Sequence, residues 1–157
     1  MCSSCLMGDA GLPTHWRLVA PRLPDDAGQT RARRELRRIG AVTIGDDVWV
    51  VPEAPAFVAG LDRVSTVVTT AGGTLLRVDS EPQDPRERMS AMTAFNAARA
   101  AEWAELSSEC RTFDGTQVSL DRLRERAHEI RVLDIFSVPE AEVADRDLRA
   151  CASALAG

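Results

Sequence analysis

The chain has 157 residues, 45% hydrophobic and 27% charged, with a formal net charge of −5. That length supports one sizeable core but not two full domains, and no run approaches the roughly 18 apolar residues of a membrane helix. The acidic balance argues against a surface built all over for nucleic acid.

Residues 1–14 read as an N-terminal tail, because Gly8, Gly11 and Pro13 interrupt any regular element. Cys2 and Cys5 form a C-x-x-C there, a weak metal or redox candidate with no second pair; His15 is a loosely spaced third ligand. The start of the chain shows no basic segment followed by an apolar stretch, so a cytoplasmic protein is expected.

From residue 15 to 80 the pattern predicts a ferredoxin-like βαββαβ sheet domain within an α+β fold. Trp16 to Ala20 is a strand rich in β-branched and aromatic residues, closed by Pro21 and Pro24. Asp25, Asp26 and Thr30 open a helix whose apolar stripe is Ala32, Leu36 and Ile39, and Gly40 stops it. Ala41 to Ile44 and Val48 to Val51 flank Gly45-Asp46-Asp47, a hairpin signal. Phe57, Val58, Leu61, Val64 and Val68 give a second helix its core face, and Thr74 to Val78 is a fourth strand. Right-handed crossovers put the first and third strands at the centre, with both helices on one face and Trp16 and Trp49 as core residues.

Residues 81–157 predict a helical lobe packed on that core, the whole making a single structural domain. Ser80 to Arg86 is a proline-bearing linker. Met89, Met92, Asn96, Arg99, Trp103, Leu106, Cys110 and Phe113 then follow a 3-4 spacing, broken at Asp114-Gly115-Thr116. Leu120, Leu123, Ala127 and Ile130 mark a second helix running towards Phe136. Ser137, with Pro139 and Glu140 after it, reads as the N-cap of a third helix, striped by Ala144, Leu148, Cys151 and Leu155. Cys110 and Cys151 fall on apolar stripes and read as small core residues.

Charge is unevenly spread. Between Arg17 and Ala41 lie seven arginines against Asp25, Asp26 and Glu35, a local +4 that leaves −9 elsewhere. Arg31, Arg33, Arg34, Arg37 and Arg38 fan over the side of their helix opposite its apolar stripe. Such a face suits phosphate, an oxyanion or an acidic protein, with a merely solvated surface as the alternative. Asn96 and Arg99 interrupt an apolar stripe, and polar groups there must find partners. Either Arg99 is a structural ion pair with Glu102, Glu105, Glu109, Asp121 or Asp134, or Arg99, Asn96 and His128 line an oxyanion pocket. Catalytic patterns are poor: there is no Tyr, only two His, and no G-x-S-x-G, H-E-x-x-H or phosphate-cradling loop. No enzyme and no cofactor is expected.

The residues also carry a family likeness. Leu23-Pro24, Arg34, Leu36, Gly40-Ala41 and Trp49 to Pro52 resemble the N-terminal domain of ChrB, the chromate-resistance regulatory protein family. Phe95, Arg99, Glu102, Trp103 and Glu105 are similar to a later helix of that family, with Trp103 where Tyr is usual, and Asp134 and Phe136 match the end of the next. Arg33 stands in place of the tryptophan of a Trp-Arg pair, and Leu133 in place of an arginine. The family usually continues into a second, C-terminal domain. The resemblance implies a DNA-binding transcriptional regulator linked to chromate or oxyanion stress; from the charge pattern we expect a homodimer whose arginine face contacts DNA backbone, with Arg31, Arg34 and Arg38 on phosphates. An oxyanion sensor and a non-enzymatic protein-interaction module are the rival readings.

Overall fold

The structure is a computed structural model and describes residues 15–157; Cys2 and Cys5 lie outside them. The elements are β1 (Trp16–Arg22), α1 (Asp26–Arg38), β2 (Val42–Gly45), β3 (Val48–Pro52), α2 (Pro55–Thr70), β4 (Thr74–Ser80), α3 (Pro85–Arg111), α4 (Gln117–Leu133) and α5 (Glu140–Ala156). The four strands form one sheet in the order β2-β3-β1-β4, with every neighbouring pair antiparallel. Among the described residues the fold is therefore α+β, a four-stranded antiparallel sheet with five helices, and its central strands are β1 and β3.

Register decides which side chains share a face. Leu18 pairs with both Val50 and Val78, and Ala20 with Leu76, so these residues project to one side of the sheet. Val19 pairs with Trp49 and Arg17 with Val51 on the other. Arg37 stacks on Trp49, which places α1 on that second side, with α2 packed beside it.

Local chemistry sets the ends of α1. Asp25 caps its start by accepting a hydrogen bond from the Gly28 N–H at 2.6 Å. At its end Gly40 N–H bonds to Arg37 O and Ala41 N–H to Leu36 O, a Schellman arrangement that needs the positive φ of Gly40, +91°. This is the stop that Gly40 signals in the sequence.

Two buried clusters lie among the described residues. One gathers Trp16, Val19, Leu36, Trp49, Val51, Phe57, Val64 and their neighbours around the sheet. The other joins Trp103, Leu106, Cys110, Leu120, Leu123, Ala127, Ala144 and Cys151 between α3, α4 and α5. The unbroken helix α3 serves both, giving Phe95 to the first and Trp103 to the second. Phe95 meets Trp16, Phe57 and Phe136 edge-on, with ring centroids 5.6 to 6.1 Å apart. No helix among the described residues is long and apolar enough to cross a membrane.

Three expectations are corrected. The buried stripe of α3 passes through Phe95 and Arg99, not Met89 and Asn96: Met89 is exposed and Asn96 half-buried, because the larger Phe95 takes the place facing Trp16. Val58 on α2 is likewise exposed. Ser137 does not cap α5. It adopts φ +55° in the preceding turn, and α5 starts from Pro139 without a side-chain cap. Asp134 instead closes the turn before α5, accepting the Val138 N–H at 3.1 Å while Trp103 Nε1 donates to its other oxygen at 2.9 Å.

Cys110 and Cys151 are both buried, and the Cys151 thiol donates to the Cys110 carbonyl oxygen at 3.4 Å. Burial, and then the adjacent Cys151, push the Cys110 thiol up to about 12. Folding therefore favours the protonated thiol. The stability this contributes is intact below the ordinary thiol value of about 8.5 and is lost as pH rises through that value towards the raised one. With Cys2 and Cys5 replaced by serine, neither remaining cysteine should react with an alkylating reagent near neutral pH until denaturant is added. Mass spectrometry of the alkylated protein checks this, and rapid labelling of folded protein would contradict it.

Candidate anion-binding surface

Helix α1 is amphipathic by simple counting. Ala32 and Leu36 are buried, while Arg31, Arg34, Arg37 and Arg38 are exposed and Arg33 is half-buried at the edge. The five arginines do not share one fate.

Arg33 is spoken for. Its Nε and Nη2 donate to the two carboxylate oxygens of Asp47 at 2.6 and 2.7 Å, a bidentate pair. Asp47 sits in the β2–β3 turn at φ +55°, so the pair ties the hairpin to the helix. The hydrogen bonds from Arg33 hold the Asp47 carboxyl below its ordinary range, and Asp47 in turn raises the Arg33 guanidinium. The sequence marks Asp47 as a hairpin-turn residue, and nothing local marks a partner fourteen positions away.

Arg38 makes a long contact with Glu35, 3.4 Å, on the exposed surface, where such pairs contribute little. Arg37 lies 5.6 Å from the centroid of the Trp49 ring, which orients the guanidinium without neutralising it. Arg31 and Arg34 have no carboxylate partner among the described residues. Three guanidinium groups on one helix, those of Arg31, Arg34 and Arg37, thus keep their charge available for an anion.

Arg99 has a different setting. It is only 2% exposed, with Nη1 donating to the Gly40 carbonyl at 3.2 Å and Nη2 to Glu102 Oε1 at 3.3 Å. Nε lies 2.9 Å from Glu102 Oε2, off the line of a hydrogen bond but well within ion-pair range. The guanidinium carbon is 4.9 Å from the centroid of Phe95. Burial lowers the Arg99 value and raises that of Glu102, and the attraction between the two opposes both shifts. Of the acidic residues that the sequence offers as partners, Glu102 is the one that pairs with Arg99.

The three residues expected to line an oxyanion pocket are not brought together. Asn96 borders a shallow recess with Thr93, Phe136 and Val138. His128 borders a separate cleft between α1, α2 and α4, beside Arg38 and Arg63. Arg99 lines neither, because its donors already face Gly40 and Glu102. No group of three or more His, Cys, Asp or Glu side chains among the described residues could hold a metal ion.

Comparison with known proteins supports the likeness seen in the motifs. The family model described as "Protein ChrB, N-terminal" matches residues 30–117, from α1 to the first residue of α4. The Protein ChrB of Cupriavidus metallidurans is 28% identical over 149 residues, covering 87% of this chain and 46% of that protein. The chain thus spans about half the length of the curated relative it matches.

Proposed function

The chain belongs to the ChrB N-terminal domain family, and on that ground we propose that it is a regulatory domain of the response to chromate or related oxyanions, contacting DNA through α1. Family membership supports the link to chromate resistance. The DNA contact rests on one observation: Arg31, Arg34 and Arg37 stand exposed and without a carboxylate partner among the described residues, on a molecule of net charge −5. We read the fold as ferredoxin-like, a reading favoured by the β2-β3-β1-β4 order and the βαββαβ succession.

In this arrangement the three arginines neutralise backbone phosphates. Such contacts position a protein on the duplex without reading its sequence. Arg33 contributes indirectly, since its grip on Asp47 holds the neighbouring hairpin against the helix. Arg99, closed off by Glu102 and Gly40, belongs to the framework rather than to the surface.

Salt dependence tests the proposal. Three neutralised phosphates predict a slope of log affinity against log salt near −2.7, or about a 40-fold loss between roughly 50 and 200 mM salt. Each Arg→Gln substitution at Arg31, Arg34 or Arg37 should reduce the magnitude of that slope by about 1. Fluorescence anisotropy with a labelled duplex measures both. A slope near zero, or one that the triple variant leaves unchanged, overturns the assignment.

A further inference from the structure

The side of the sheet away from α1 is only partly covered. Between it and the first two turns of α3 runs a groove of about 880 Å³, floored by Trp16, Leu18, Ile44 and Val50. The apolar surface continues past the groove along β4, where register places Leu76 and Val78 on the same side as Leu18. Ile44, Leu76 and Val78 are 53%, 57% and 42% exposed, a concentration of large apolar side chains that a folded monomer rarely leaves to water.

The charges beside this floor have one sign. Glu81, Asp84 and Glu87 line the groove, and among the described residues no arginine does. Asp84 also caps α3 through the Arg86 N–H at 2.8 Å, so it is fixed in place, and His15 lies 3.6 Å from Glu81 at one end. An apolar floor with carboxylates along its edge is complementary to a segment that carries aliphatic side chains on one face and cations on its flanks. The same edge disfavours a nucleic acid strand by like-charge repulsion. It also disfavours a second copy placed groove to groove, which would oppose two acidic rims.

We propose that this groove is a docking site for a basic amphipathic peptide segment of another protein. Aliphatic side chains of the segment cover Leu18, Ile44 and Val50, while its arginines or lysines meet Glu81, Asp84 and Glu87. The site lies across the sheet from Arg31, Arg34 and Arg37, so the two surfaces are free to act at once.

A labelled helical peptide of about sixteen residues, with leucines on one face and arginines on the other, serves as the probe. Anisotropy titration of the full chain should give micromolar affinity that weakens as salt rises. The analogue with glutamate for arginine should bind at least about tenfold more weakly. Ile44→Lys and Glu87→Arg each alter an exposed side chain, and each should weaken the arginine peptide by a similar factor. Circular dichroism confirms that both variants fold, and Val78→Lys stands in for whichever does not. Equal affinity for the two peptides, or affinity unaffected by all three variants, overturns the proposal. So does a wild-type dimer in sedimentation that Ile44→Lys dissociates, because a second copy would then be the occupant. None of these results bears on the salt slope for DNA, so the two proposals stand or fall separately.

Discussion

Gly40→Ala is expected to destabilise the fold by about 2–5 kcal/mol, and a urea titration of the purified variant should show it directly. Two effects add. The residue after α1 sits at φ +91°, where a Cβ is strained by roughly 1–2 kcal/mol. The new methyl group would also run into Arg99 Nη1, with Leu133 Cδ1 at 3.1 Å and Phe57 Cε1 at 3.2 Å behind it. Arg99 cannot swing away cheaply, since Nη1 itself donates to the Gly40 carbonyl and Glu102 holds Nη2 and Nε. Overpacking of that kind typically adds about 1–3 kcal/mol. Gly45→Ala is the control, because its Cβ would meet nothing within 4 Å. Loss of less than about 1 kcal/mol in Gly40→Ala would show that the junction is looser than its contacts imply.

Arg99→Ala is expected to be comparably severe, by a different route. Removing one member of a buried pair leaves the other charged and unpaired, at a typical loss of about 3–5 kcal/mol. Glu102 is half-buried, so some of its charge would be relieved by water, and the lower end applies. The Gly40 carbonyl also loses its donor. At this chain length the loss corresponds to a fall in melting temperature on the order of 10 °C. The double variant Arg99→Met, Glu102→Leu should recover most of that, because an apolar pair of similar volume carries no uncompensated charge. A double-mutant cycle in thermal or urea unfolding reads the coupling. Calorimetry with chromate, sulfate and phosphate separates this account from anion binding: wild type and Arg99→Ala should behave alike towards all three. An Arg99-dependent heat with any of them would mean that the guanidinium opens to small anions in solution.

The sheet was legible because its signals are local. Gly45-Asp46-Asp47 between two apolar runs and Gly40 after a helical stripe are each read within a few residues, and the strand order follows from the handedness of crossovers. The helical half was legible in its spacing and, from Arg99 onwards, largely in its phase; only the first turns of α3 were misread. Asn96 and Phe95 are adjacent, and only the presence of Trp16 across the interface decides which of them turns inwards. The arginine run was visible as a run. What each arginine does was not, since Asp47 and Trp49 reach Arg33 and Arg37 through tertiary packing. Ser137 failed as a cap for a similar reason: it lies at φ +55° in a turn that Asp134, buried against Trp103, closes through the Val138 N–H, and α5 begins after it. The acidic groove had a trace in the sequence, the carboxylates at 81, 84 and 87 beside Pro82 and Pro85, but their alignment with Ile44 comes only from the fold.

The sharing of α3 between two packing centres has a consequence for how the molecule can be cut. A boundary drawn at the proline-bearing connector after β4 looks natural on paper, yet a fragment ending there would leave Trp16 and Phe57 without the ring of Phe95 that seals them. The sheet is thus incomplete as a building block. Its closing piece is carried by the very rod on which the rest of the chain is mounted.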